Sequence, residues 1–207
     1  MIEEWAKSWD DRYSAKEYAY GLEPNVYLKQ QLDKLTPGRI LFGADGEGRN
    51  GVYAATKGWE VSCFDISKEG KKKALQLAEE KGVSIDYRVG ELADLGFKPE
   101  EFDAIVLIYA HFPPSVRSAY HKILNTLLRK GGTLILEAFN KAHLEYRQKN
   151  PKVGGPPDYD TLFSMEEVKS DFPNYEVIEL SDEVIDLNEG LYHIGAGSVV
   201  RFVGQKK

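Results

Sequence analysis

Five short apolar runs, at 40–42, 59–64, 85–89, 102–108 and 133–139, recur along the chain with helix-patterned stretches between them. Strands that alternate with helices and read as near-continuous hydrophobic runs belong to a parallel sheet covered on both faces. The run 102–108 (Phe-Asp-Ala-Ile-Val-Leu-Ile) is the most apolar. Punctuation between the runs is consistent with helices. Pro24 suits a first turn, Leu28, Leu32 and Leu35 share a face, and Pro37-Gly38 ends that segment. Val52 to Ala55 begin a short helix closed by Gly58, and Ser67 is placed to cap a helix over 68–81 that stops at Gly82. A helix over 114–128 leads through Lys130-Gly131-Gly132 into the fifth run. Residues 1–22 are rich in Trp and Tyr with mixed periodicity. Beyond 140 the chain turns polar, and 140–163, with Gly154-Gly155-Pro156-Pro157, reads as an excursion over a cleft. Ser164-Met165-Glu166-Glu167 has the form of a capping box for a helix to about Phe172. Two strands, near 175–187 and 197–204, form an antiparallel pair around a Gly-rich turn. The expectation is a doubly wound α/β sheet, mostly parallel with the last strand antiparallel, in one domain spanning 1–207.

Composition narrows the partners. At 207 residues and 42% hydrophobic, the chain can bury one full core. The net charge of -6 argues against a generic nucleic-acid binder, which needs a basic excess to neutralise phosphates. One cysteine, Cys63, precludes an internal disulfide and fits a reducing compartment. The first residues, lacking a basic patch followed by an apolar stretch, are not expected to act as a signal peptide, and no run is long enough to cross a bilayer. The expectation is a cytoplasmic protein acting on a small molecule, without nucleic-acid or membrane partners; the oligomeric state is not readable.

The chemistry concentrates where the first run enters Gly43-Ala44-Asp45-Gly46-Glu47-Gly48. A glycine loop at the carboxyl end of a strand lets backbone approach a ligand where a side chain would block it. Asp65 follows Gly46 by 19 residues and ends the second run. An acid there accepts hydrogen bonds from both hydroxyls of an adenosine ribose. Together these features predict a nucleoside-type cofactor. Dinucleotide sites want Gly-x-Gly-x-x-Gly, whereas the spacing here is Ala44-x-Gly46-x-Gly48 followed by Arg49-Asn50.

At these residues the chain resembles the class I S-adenosylmethionine-dependent methyltransferases. More narrowly it is similar to the bacterial branch of tellurite-resistance methyltransferases, with a looser likeness to thiopurine methyltransferases. The likeness rests on Trp9-Asp10-Asp11-Arg12-Tyr13, Tyr20-Gly21-Leu22-Glu23-Pro24-Asn25, Gly46-Glu47-Gly48-Arg49-Asn50 and Phe64-Asp65-Ile66-Ser67. It extends to Phe102-Asp103, Leu128-Arg129-Lys130-Gly131-Gly132 and Asn188-Glu189-Gly190-Leu191-Tyr192-His193-Ile194-Gly195. The resemblance implies a Rossmann-like, seven-stranded sheet with helices on both faces and S-adenosylmethionine as cofactor. It further implies an N-terminal helical lid (1–36), a cofactor-binding core (37–139), and a substrate-side insertion with terminal strands (140–207). Ala44, Asp45, Gly46, Gly48 and Arg49 would cradle the methionine moiety, Asp65 with Ile66 the ribose, and Glu91 with Leu92 the adenine. Tyr109 would border the methyl group, and Arg12, Tyr13 and Tyr20 would belong to the lid. Two positions depart from the family pattern: Phe42 stands where an acid is frequent, and Ala44 where the first loop glycine is expected.

A sulfonium methyl is already activated, so its transfer needs alignment and water exclusion. A general base is required only when the acceptor is a protonated oxygen or nitrogen. His111, after the fourth run, is the base candidate by location, and Arg117 the candidate to orient an anionic acceptor, with Arg12 and Arg49 as further cations. Each of these has a plainer reading as a packed or salt-bridged side chain. Phe112-Pro113-Pro114-Ser115 lacks the Asn or Asp with which amino-methylating DNA enzymes receive a flipped base. The four histidines lack metal-ligand spacing, and no Gly-x-Ser-x-Gly elbow is present. Two other classes stay open at this level: a nicotinamide-dependent oxidoreductase, and a binding module without turnover. Acceptors implied by the resemblance are thiols, tellurite- or selenite-like oxyanions, and other compact nucleophiles.

Overall fold

The computed structural model describes residues 2–207. Its elements in chain order are α1 (Ile2–Tyr13), α2 (Val26–Leu32), β1 (Arg39–Gly43), α3 (Arg49–Thr56), β2 (Glu60–Asp65), α4 (Lys68–Glu80) and β3 (Asp86–Val89). There follow β4 (Phe102–Ile108), α5 (Pro114–Leu127), β5 (Leu128–Phe139), α6 (His143–Lys149), α7 (Met165–Asp171), β6 (Tyr175–Glu189) and β7 (His193–Lys206). The seven strands form one sheet in the order β3-β2-β1-β4-β5-β7-β6. The first five run parallel, and β7 is antiparallel to both neighbours, β5 and β6.

The period-2 alternation of a strand separates two cores. Leu41, Ile105, Leu107, Leu134 and Leu136 pack with Tyr120, Leu124 and Leu127 of α5 and Val168 of α7. Ile40, Phe42, Ala104, Val106 and Ile135 pack on the opposite side with Tyr27, Leu28 and Leu32 of α2 and Ala54 of α3. Burial on both faces explains why these runs are apolar at every position rather than at alternate ones. Strand order reverses between β1 and β4, and in such sheets a crevice opens beyond the carboxyl ends of the strands at that point.

Local signals mark most helix ends. The Ser67 hydroxyl accepts from the Gly70 amide to start α4, and Ser164 with Glu167 makes a reciprocal capping box at α7. The helix expected from Pro24 to Leu35 is shorter. Asn25 is its cap, accepting from the Leu28 amide, and regular structure stops at Leu32. Within the stretch read as a polar excursion, His143–Lys149 forms α6. Its signal was masked because the turn is anchored by a buried histidine rather than by an apolar stripe. Among the described residues, no helix is long and apolar enough to cross a membrane.

Candidate active site

The loop from β1 to α3 is a run of left-handed backbone. Ala44, Gly46 and Gly48 have φ of 53°, 55° and 82°. At Gly48, the N-cap of α3, an added Cβ would lie 2.5 Å from the Ala74 Cβ of α4, so only glycine lets the two helices approach. At Gly46 that space is taken by Tyr13, whose hydroxyl sits 2.6 Å from where a Cβ would be. The Tyr87 hydroxyl donates to the Gly46 carbonyl at 2.5 Å. Asp45 turns toward the start of α3: its Oδ2 accepts from the Gly51 amide (3.2 Å) and the Cys63 thiol (3.3 Å). Burial pushes the Asp45 carboxyl up to about 7.

Asp65 ends β2 with its carboxylate tied at both oxygens. Oδ2 accepts from the Gly46 amide (3.0 Å) and Oδ1 from the Ser67 amide (2.9 Å). Each carboxylate oxygen has a second lone pair, so these bonds orient the group without exhausting it. Burial raises it to about 6, against the pull of those amides. It borders a cavity of about 470 Å³ at the switch point of the sheet.

The cavity wall includes Ala44, Asp45, Gly46, Arg49, Ile66 and Tyr109, all expected from the sequence. On the side expected to hold a purine, Gly90 and Tyr120 line the wall, whereas Leu92 is buried in the core and neither it nor Glu91 reaches the cavity. α1 roofs the chamber with Trp5, Trp9, Arg12 and Tyr13. It is pinned by Asp10, whose Oδ1 accepts from the Ser67 hydroxyl (2.6 Å) and the Glu69 amide (3.1 Å). The Arg12 guanidinium donates to the Tyr20 hydroxyl and lies over the rings of Trp9 and Tyr192.

The two residues expected to face an acceptor are otherwise engaged. His111 lines the cavity, but its Nδ1 lies 3.1 Å from the Thr161 carbonyl and its Nε2 accepts from the Phe139 amide at 3.2 Å. Those partners require a proton on Nδ1 and occupy the lone pair on Nε2, and burial lowers the ring to about 3. Arg117 lies outside the cavity wall. It points at the carbonyls of Asp160, Thr161 and Leu162, stacks over Phe163 and pairs with Glu167. Both side chains hold the 158–163 stretch in place.

A buried polar network at the end of β5 joins Arg49 to Asn25, Glu137, Glu189, His193 and Arg201, to which sequence reasoning assigned no individual role. Asn25 Nδ2 donates to Glu137 Oε1 (2.7 Å) and to Glu189 Oε1 (3.2 Å). Arg201 pairs with Glu137 at 2.7 Å, and Arg49 with Glu189 at 3.0 Å. His193 Nδ1 stands 2.9 Å from Glu189 Oε2, and its ring borders the cavity beside Tyr20, Tyr109 and Phe139. The same network engages the Arg49 guanidinium at the cavity wall, its other nitrogen donating to the carbonyls of Tyr20 and Glu23. Two resembling segments, 20–25 and 188–195, therefore meet in space: Gly190 approaches Gly21 so closely that an added Cβ would lie 2.4 Å from the Gly21 nitrogen. The available signal was that both segments, 20–25 and 188–195, carry the resemblance although they lie far apart in the sequence. Among the described residues, no three His, Cys, Asp or Glu side chains gather as a metal site.

Residues 40–132 match the family described as a methyltransferase domain. The sheet order is that of the Rossmann-like methyltransferase fold, and the similarity of this segment to a methyltransferase domain supports S-adenosylmethionine as the cofactor. Among relatives, a ubiquinone biosynthesis O-methyltransferase of Xanthomonas campestris is 33% identical over 141 residues, 66% of this chain and 58% of that protein. The chain thus spans under two thirds of the curated relatives it matches. TehB from Haemophilus influenzae shares the fold with a TM-score of 0.70 and 16% identity, over 98% of this chain and 67% of that one. Magnesium protoporphyrin IX methyltransferase (ChlM) from Synechocystis, solved with bound S-adenosylhomocysteine, gives 0.64 and 18% over 87% and 80%. At these identities the two structural likenesses are of fold.

Proposed function

We propose that this chain transfers a methyl group from S-adenosylmethionine to a small soluble acceptor. The observation that carries the reading is the Asp65 carboxylate, held by the Gly46 and Ser67 amides at the edge of an aromatic-walled cavity. A carboxylate so fixed, with acceptor capacity to spare, suits the paired hydroxyls of a ribose. The group fits: Ala44 and Gly46 line the cavity at the loop while Gly48, expected there, serves the packing of α3 on α4 instead, Ile66 and Gly90 flank the sugar's acid, and Tyr120 walls the far side. When bound, S-adenosylmethionine supplies a methyl group already activated by its sulfonium. The protein's share is then to align and to exclude water. Trp5, Trp9, Tyr13 and Tyr20 perform the exclusion as a lid over residues 44–50, and the lid's pinning by Asp10 fixes its seat.

His111 and Arg117 act in this reading as supports of the wall rather than as base and anion receptor. Arg12 is the cation placed to meet an anionic acceptor. The resemblance to the tellurite-resistance and thiopurine branch favours soft oxyanions or thiols. The relative from Xanthomonas, an O-methyltransferase, favours oxygen.

Calorimetry tests the reading. S-adenosylmethionine and S-adenosylhomocysteine should both bind, NAD should not, and Asp65→Asn should weaken the nucleoside roughly 10- to 100-fold, the value of a hydrogen-bonded charge of about 1.5–3 kcal/mol. Folded protein that binds neither nucleoside ends the proposal.

A further inference from the structure

The acceptor side of the cavity contains a histidine whose two nitrogens are in different situations. The Nδ1 of His193 faces the Glu189 carboxylate at 2.9 Å, while no hydrogen bond engages its Nε2 among the described residues, and the ring borders the cavity. A carboxylate cannot donate when ionised, so this contact places the proton on Nδ1 and leaves the Nε2 lone pair bare. Glu189 is itself fixed by Arg49 at 3.0 Å and Asn25 at 3.2 Å. Around the ring stand Tyr20, Tyr109 and Phe139, with centroids 4.5, 4.7 and 5.3 Å away, and Pro156 and Pro157 line the same cavity.

We propose that His193, oriented by Glu189, is the general base of the transfer, and that the acceptor is accordingly a small aromatic hydroxyl compound. The inference rests on the methyltransferase reading and selects among its acceptors. Thiols ionise near neutrality and oxyanions carry their charge already, so neither needs such a base, whereas a phenolic hydroxyl, with a value near 10, does. In the step, the hydroxyl oxygen forms a bond to the methyl carbon as the carbon–sulfur bond breaks. The bonding pair leaves with sulfur, which becomes a neutral thioether, and the hydroxyl proton passes to His193 Nε2 and then to water.

The charges facing His193 are consistent with a neutral ring ready to accept. Burial lowers its value, Glu189 of β6 opposes this, and Arg49 of α3 and Arg12 of α1 add to it. His143 of α6 and His111 are the other histidines in electrostatic reach, both pushed down by burial, and the Tyr20 and Tyr109 phenols beside the ring are pushed up by it.

Two measurements test the proposal. With catechol as probe acceptor and S-adenosylhomocysteine release as readout, the rate should be flat above pH 6.5. His193→Gln should lose about 10²- to 10⁴-fold at pH 7 and then rise tenfold per pH unit as catechol ionises by itself. Selenite, offered to both proteins, should show no such dependence on His193. Independently of turnover, two-bond ¹H–¹⁵N spectra of labelled protein should show His193 protonated at Nδ1 only, a preference that Glu189→Gln weakens. A His193→Gln profile parallel to that of the parent, or a ring protonated at Nε2, overturns the proposal. Retained S-adenosylhomocysteine binding in calorimetry would show that the methyltransferase reading stands regardless.

Discussion

Ala44 is one of three non-glycine residues, with Glu100 and Tyr109, whose backbone is left-handed among the described residues. It occupies the left-handed region at φ 53°, where a side chain costs about 1 kcal/mol relative to glycine. Ala44→Gly should therefore raise the urea midpoint, corresponding to about 1 kcal/mol, with no change in m-value. An unchanged midpoint would mean that the loop carries no such strain. The departure was visible in the sequence as an alanine where the resembling family has glycine. Its geometric consequence was not, because a φ angle depends on the path of the neighbouring chain. The same distinction applies to His111 and His193. Position along the chain favoured the first, at the end of β4, whereas hydrogen bonding favours the second, because the Phe139 amide that occupies His111 belongs to another strand.

At the scale of elements, the strand–helix alternation from β1 to β5 was legible, since a doubly covered strand must be apolar throughout and a helix must be capped. What escaped were elements held by long-range polar contacts: α6, and the joining of α1 to α4 through Asp10. That joint makes a prediction. Asp10→Ala removes an acceptor from the first turn of α4, a loss of about 1 kcal/mol. It should also speed amide hydrogen exchange across 2–13, while exchange in the parallel strands stays as before. Equal acceleration in the strands would show that the lid has no separate opening.

For the whole molecule, acid stability is set by two opposed groups of buried side chains. His111 and His143, lowered by burial to about 3 and 4 from an ordinary 6.5, take up protons first in the unfolded chain, so stability falls as pH drops below 6.5. Asp45 and Asp65, raised by burial to about 7 and 6 from 3.8, take them up first in the native state, so stability grows as pH falls from 7 toward 4. The two trends offset one another down to about pH 4. Below that the aspartates have nothing left to give. Glu189, subject to burial but held down to about 2 by His193 and Arg49, then adds its own loss. The melting temperature should be nearly level between pH 7 and 4 and drop steeply beneath. In Asp45→Asn it should decline from pH 6.5 onward, and a level profile in that variant would contradict the assignment.

The contact of Gly190 with Gly21 joins stretches made at opposite times in synthesis. A growing chain can assemble its parallel strands and seat α1 on α4 early, yet the Ala19–Gly21 end of the roof lacks its second support until the β6–β7 hairpin has left the ribosome. Ligand-dependent protection against proteolysis in stalled nascent chains should accordingly appear late and abruptly, after the hairpin emerges, rather than with the strands that carry the glycine loop.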